Sequence, residues 1–147
     1  MRIRRLRIEA FGRIRNLDTG PDALPDVVVA LGPNEAGKST LARFLTTLLY
    51  GFYPASRDRN PYTPWGEGDA QGSGVLHLDG GGCVEVERRL RSTPTGSLRS
   101  GDTEDDLRNR TLPWVDHVPL KVFEEVFSVS LADLAGLDAT TWEEIQD

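Results

Sequence analysis

Gly32-Pro33-Asn34-Glu35-Ala36-Gly37-Lys38-Ser39 places its two glycines, its lysine and its hydroxyl residue in the spacing G-x-x-x-x-G-K-[ST], the pattern of a phosphate-binding loop. Each fixed residue type has a physical reason. Gly32 and Gly37 let the backbone curl until its N–H groups converge on phosphate oxygens. A helix opening near Lys38 turns its positive dipole end toward the same anion. Lys38 supplies a point charge for the β- and γ-phosphates, and Ser39 offers a hydroxyl to Mg²⁺. Thr40 is placed to bond the α-phosphate. At ordinary residue frequencies, a chance match in a chain this long has a probability of roughly half a percent.

The flanks carry the structural context that the loop needs. Val27, Val28, Val29, Ala30 and Leu31 form a continuous apolar, mostly β-branched run before it, which predicts a strand buried on both faces of a parallel sheet. Behind the loop, Leu41, Phe44, Leu45, Leu48 and Leu49 recur at helical spacing, predicting a helix from Lys38 to Tyr50 that Gly51 ends. Strand, loop and helix in that order predict an α/β fold of the P-loop NTPase kind.

Outside this core the pattern is coarser. Ile3, Leu6 and Ile8 among Arg2, Arg4, Arg5 and Arg7 predict a first strand with one wet face, and Phe11-Gly12-Arg13-Ile14 a turn into a second. Residues 18–25 and 54–73 read as loops, the latter about 20 residues long. Val75 to Asp79 and Cys83 to Leu90, joined by Gly80, Gly81 and Gly82, predict an antiparallel hairpin over residues 74–90. Residues 91–110 are polar and read as a flexible excursion. Short helices are expected at residues 120–127 and 130–137, and a third from about residue 141, where Thr141 is placed as an N-cap.

The chain has 147 residues with 38% hydrophobic and 27% charged residues, enough for one soluble domain. Its longest apolar run is far too short to span a membrane, and its basic start lacks the apolar core of a signal peptide. A cytoplasmic protein with no membrane partner is the expectation. The single cysteine, Cys83, excludes an internal disulfide and is too little for a zinc site. Net charge is −6, but residues 1–15 hold six arginines and one glutamate, +5, leaving −11 on the rest. Such a basic edge suits DNA or nucleotide phosphates, or is simply a solvated strand face. His77, His117 and the three tryptophans read as structural or surface residues.

Asn34-Glu35-Ala36-Gly37-Lys38-Ser39-Thr40 resembles the P-loop of the coiled-coil DNA-repair and chromosome-maintenance ATPases, the SbcC, RecN and SMC group, and most closely the YhaN-type ATPases. The opening strand followed by Phe11-Gly12-Arg13, the stretch Tyr62-Thr63-Pro64-Trp65, and Phe123-Glu124-Glu125-Val126-Phe127-Ser128 look similar too. The resemblance implies the N-terminal half of an ABC-type ATPase head, with an antiparallel β-subdomain and a strand–loop–helix Walker A unit. Arg13 matches a basic residue that reaches nucleotide phosphates in related heads. The cofactors implied are ATP and Mg²⁺, held by Arg13, Gly32, Pro33, Asn34, Glu35, Ala36, Gly37, Lys38, Ser39 and Thr40, with Ser39 toward the metal. The partners implied are the C-terminal half of the same protein, a second head in an ATP-bound head-to-head dimer, and DNA with a nuclease subunit.

The sequence departs from a complete head. A P-loop ATPase needs an acid at the end of a second apolar strand. The best candidate, Asp79, precedes Gly80-Gly81-Gly82 and suits a hairpin turn better. No Leu-Ser-Gly-Gly signature is present, and residues 128–131, where the resemblance places a glutamine, read Ser128-Val129-Ser130-Leu131. No catalytic residue is therefore expected in this chain. Nucleotide binding is expected here, hydrolysis only with a C-terminal half, and the last residues are expected to lead toward a coiled coil. The alternative reading is a stand-alone small P-loop kinase or nucleotide-binding regulator, with Arg57 and Arg59 on a lid.

Overall fold

In Val84-Glu85-Val86-Glu87-Arg88-Arg89-Leu90, burial alternates strictly, with residues 84, 86, 88 and 90 inside and the others outside. That period of two is the mark of a strand with one packed face. The computed structural model describes residues 1–64 and 68–128. Its strands are β1 (Arg2–Phe11), β2 (Ile14–Asp18), β3 (Ala70–His77), β4 (Cys83–Leu90), β5 (Pro94–Ser100) and β6 (Thr103–Asp106), with helices α1 (Lys38–Tyr50) and α2 (Leu120–Val126). The strands form one antiparallel sheet in the order β2-β1-β3-β4-β5-β6. The expected hairpin pairs Ala70 with Leu90 through His77 with Cys83.

One face of the sheet carries the core. Leu6, Ile8, Phe11, Leu76, Val84, Val86 and Leu90 are buried together with Phe44, Leu48 and Leu49 of α1. Two glycines of β3 set how closely the helix lies. A Cβ on Gly72 would stand 2.5 Å from the Phe44 ring, and one on Gly74 would stand 2.6 Å from Leu48 Cδ2. Any larger residue there forces the helix away or the sheet to bend. Phe44 meets Phe11 edge-on, with centroids 5.3 Å apart, the geometry aromatic quadrupoles favour.

Arg88 is the largest fully buried side chain in this core. Its guanidinium donates to the carbonyls of Leu48 (3.1 Å), Leu49 (3.5 Å), Arg108 (3.3 Å) and Arg110 (2.8 Å). The first two belong to the last turn of α1, whose carbonyls have no partner within the helix. Leu112 N–H also serves Leu49 O at 2.9 Å, and Gly51 N–H serves Thr47 O at 2.8 Å. Gly96 makes room, since a Cβ there would lie 3.1 Å from the guanidinium. Burial pushes the Arg88 pKa down to about 10, which leaves it charged at neutral pH, a cation at the negative end of the helix dipole. Asn109 completes the cap by accepting from Phe52 N–H at 2.7 Å and donating to Phe52 O at 3.1 Å.

Three expectations need correction. Residues 27–31 are not a buried parallel strand: Val27 is 80% and Leu31 90% exposed, and no strand among the described residues pairs with them. The stretch before them follows the β1 edge through Thr19 N–H to Leu6 O and Leu24 N–H to Arg4 O, then leaves it. The strand–loop–helix unit is therefore present as loop and helix only. Residues 91–110 hold two strands, β5 and β6. Their polar faces are outward because they form the sheet's margin, where charged residues also discourage edge-to-edge pairing. Gln71 lies on β3, not in a loop, and donates to Glu87 at 3.2 Å.

Met1–Leu112 forms one unit and Pro113–Asp147 another. In the second, α2 covers most of the helix expected at residues 120–127, and the Phe123 and Phe127 rings stack at 5.8 Å. The expected helices at 130–137 and from 141 lie outside the described residues. So do Trp65, Trp142 and most of the stretch 128–131.

Candidate functional site: the Gly32–Thr40 loop

Helix α1 begins at Lys38, where the motif requires, and Gly37 precedes it with φ +98°, a left-handed conformation that glycine adopts without strain. Glu35 also lies in the left-handed region, at φ 67°. Among the described residues, no side chain caps the helix, and no acidic residue occupies its first turn. Its leading N–H groups, which have no partner within a helix, are left to an external acceptor. Gly32, Pro33, Asn34, Glu35, Ala36, Lys38 and Ser39 are exposed and Thr40 is half-buried, whereas Gly37 at the helix start is buried, with the side chains of Ile14 and Arg13 beside it. One amide is already engaged: Ala36 N–H donates to Pro33 O at 3.2 Å.

Lys38 folds back over the loop and donates to the carbonyls of Gly32 (2.7 Å) and Pro33 (2.8 Å). Its ammonium thus stands over the curl. Arg13, on the β1–β2 turn, reaches the same loop. It donates to the backbone carbonyl of Glu35 and stands 3.9 Å from the Glu35 carboxylate. The two cations anticipated from sequence are therefore brought to one place.

The turn that carries Arg13 is braced by residues whose role sequence reading missed. Gly12 has φ +54°, and a Cβ there would lie 3.0 Å from Thr40 Cγ2 and 3.4 Å from the Tyr62 ring. Gly12 N–H donates to Tyr62 O at 2.7 Å, and Tyr62 stacks on Phe11 at 5.1 Å with the rings nearly parallel. Tyr62 is itself held by Asn60, whose Oδ1 accepts from Tyr62 N–H at 2.9 Å and whose Nδ2 donates to Pro54 O at 2.8 Å. The signal was the resemblance at Phe11-Gly12-Arg13 and Tyr62-Thr63-Pro64, two motifs far apart in sequence that pack together. Over its described part, the long loop expected at residues 54–73 therefore braces the turn that carries Arg13.

Other candidates fall away from this place. Asp79 sits on the β3–β4 hairpin and accepts from the Met1 amino terminus at 2.5 Å, a bond that holds its carboxyl below the usual range. It is not placed as a metal-binding acid for the loop. Among the described residues, no group of His, Cys, Asp and Glu is arranged to hold a metal ion.

The basic N-terminal edge is largely neutralised within the chain. Arg2 pairs with Asp26 at 2.9 Å, Arg4 with Asp26 at 3.5 Å, Arg5 with Asp18 at 2.8 Å and Arg7 with Glu9 at 3.1 Å. A cavity of about 220 Å³ on the sheet face away from α1 is lined by Arg5, Arg7, Glu9, Gln71, Glu85 and Glu87 among others. Of its charges Arg7 and Glu9 pair with each other, Arg5 pairs with Asp18 and Glu85 with Arg99, and Glu87 accepts from Gln71. A phosphate loop works through exposed backbone instead, so this cavity does not locate the nucleotide.

Among the described residues, no helix is long and apolar enough to cross a membrane. No curated protein matches the chain. A family model described as an AAA domain matches residues 1–137. The match takes in the loop, α1, the whole sheet and α2. The chain therefore belongs to the AAA domain family of P-loop ATPases.

Proposed function

We propose that this chain binds ATP with Mg²⁺ on the Gly32–Thr40 loop, as the cytoplasmic nucleotide-binding lobe of a coiled-coil DNA-maintenance ATPase of the SbcC, RecN and SMC group, nearest the YhaN type. The observation that carries it is the uncapped start of α1 with Lys38 and Arg13 both turned onto the loop. In this reading the loop amides and helix dipole take the phosphates, Lys38 and Arg13 offset their charge, and Ser39 holds the metal. Gly32 and Gly37 shape the curl, Pro33, Asn34, Glu35 and Ala36 carry its backbone, and Thr40 meets the α-phosphate.

Hydrolysis belongs to a second lobe bearing the Walker B acid and the signature motif, supplied by the C-terminal half of the same protein. The exposed apolar run at residues 27–31 supports this, because Val27, Val28, Val29 and Leu31 suit a sheet that other strands would complete. ATP would then join two such heads, and DNA with a nuclease subunit would be the wider partners.

Titration calorimetry with Mg·ATP tests the binding step. The chain is expected to bind ATP and to turn it over only at background rate. Lys38→Ala is expected to abolish detectable binding while circular dichroism stays unchanged, because Lys38 is exposed and holds no core contact. Unchanged affinity in that variant would remove the assigned role, and robust turnover by the chain alone would remove the two-lobe reading.

A further inference from the structure

Two threonines of α1, Thr46 and Thr47, fold their hydroxyls back onto the helix, to Ala42 O at 3.4 Å and Arg43 O at 3.0 Å. That is the usual resort of a threonine inside a helix. Thr40, half-buried in the first turn, makes no such bond among the described residues. Its methyl is the branch that is held. A Cβ on Gly12 would stand 3.0 Å from Thr40 Cγ2, so the bare Cα of Gly12 leaves the room that this methyl occupies. Gly12 is itself fixed in place: its φ is +54°, its N–H donates to Tyr62 O at 2.7 Å, and Tyr62 Cδ1 would lie 3.4 Å from the same Cβ. Ile14, two residues on, meets the other glycine of the junction, with its Cγ1 3.4 Å from where a Cβ on Gly37 would be. The β1–β2 turn therefore lies along the loop–helix junction at two points.

We propose that Gly12 is a positioning residue for the nucleotide: the space at its Cα seats the Thr40 methyl, and the seated methyl keeps the Thr40 hydroxyl off the helix and open to a phosphate oxygen. This rests on the nucleotide-binding reading above. The two branches of a threonine leave Cβ at a fixed angle to each other, so a methyl held in one staggered well fixes the hydroxyl in another. A serine has no methyl to seat, and its hydroxyl can turn back onto the helix. Any side chain larger than hydrogen at position 12 presses on the methyl and displaces Thr40. The contribution is one of shape, separate from the charges of Lys38 and Arg13, and salt does not screen it.

Mg·ATP titration of the parent chain, Gly12→Ala, Thr40→Ser and the double variant tests it. Gly12→Ala should weaken binding about fivefold, because the added atom must push the methyl aside. Thr40→Ser alone should weaken it about two- to threefold, through the freedom its hydroxyl gains. In the Thr40→Ser background, Gly12→Ala should leave the affinity where Thr40→Ser puts it, since no methyl remains to be pushed. The strain of an alanine at positive φ is common to both backgrounds and cancels. The ratio of parent to Gly12→Ala affinity should be the same at low and high salt. In the nucleotide-free parent, three-bond couplings to Thr40 Cγ2 should report a single χ1 well, a measurement that decides the matter even if Gly12→Ala does not fold. Couplings averaged over several wells overturn the proposal. So does parent affinity in Gly12→Ala, or a loss that persists in full in the Thr40→Ser background. A ratio that shrinks with salt overturns it too, because the cause would then be a displaced Arg13. A parent that binds ATP while Gly12→Ala is neutral sinks this inference alone, and a parent that binds no ATP sinks the underlying reading with it.

Discussion

Replacing Arg88 by Met keeps an unbranched side chain of similar reach but removes the guanidinium donors from the buried end of α1. Arg88 serves four carbonyls, of Leu48, Leu49, Arg108 and Arg110. Leu49 O retains Leu112 N–H, so three carbonyls lose the donor that the structure gives them here. A buried polar group left unsatisfied costs about 1–3 kcal/mol. The apolar methionine avoids the desolvation that burial imposes on the guanidinium and returns part of that loss. The Leu48 carbonyl is buried, whereas those of Arg108 and Arg110 are held in part-buried bonds, so a net destabilisation of about 2–5 kcal/mol follows, a large share of the roughly 5–15 kcal/mol typical of a domain. Urea unfolding monitored by circular dichroism measures it as a lower midpoint at unchanged slope. Arg88→Lys keeps the cation but cannot fork across two chain segments, so it should fall between parent and Arg88→Met. A loss below about 1 kcal/mol for Arg88→Met would refute the claim that this side chain ties the helix to the sheet, since even one orphaned carbonyl costs that much.

Gly72→Ala should cost about 1–3 kcal/mol by overpacking, read as a lower urea midpoint, because its Cβ would stand 2.5 Å from the Phe44 ring and 2.8 Å from Arg7 O. Ser39→Ala should weaken Mg·ATP far more than metal-free ATP in parallel titrations; equal losses would deny Ser39 a metal role. Arg5 and the Gly20 amide hold the Asp18 carboxyl below its ordinary value of 3.8. That contribution is present above the unfolded value and disappears as pH falls through the folded one. The Tm gap between the parent and Asp18→Asn should therefore be open at neutral pH and close in the acid range; a gap that widens toward acid would contradict it.

How much was legible depended on how local each feature is. Helix α1 came out of the sequence with its boundaries, because Gly37, Lys38 and the helical spacing of Phe44, Leu48 and Leu49 act within a few residues of one another. The hairpin was legible for the same reason: two alternating runs meet across Gly80, Gly81 and Gly82. Arg88 was visible in principle, since the period that buries Val84, Val86 and Leu90 buries it too. A charged residue at an inward position is easily read as a solvated one, however, and its carbonyl partners lie about 20 to 40 residues away.

Residues 27–31 mark the opposite limit. Their composition says what kind of environment they suit, a two-sided sheet, but a strand exists only where another strand supplies hydrogen bonds. The sequence by itself determined the glycine, lysine and serine spacing of the Gly32–Ser39 loop, the helix behind it and the alternation of its strands, all of which follow from neighbouring residues. Only the tertiary structure decided that Arg13 meets Glu35, that Tyr62 braces the turn behind Gly12, and that Arg88 closes α1. Those contacts join segments distant along the chain, and their existence depends on the sheet order and on the space left by Gly72, Gly74 and Gly96, which no local pattern encodes.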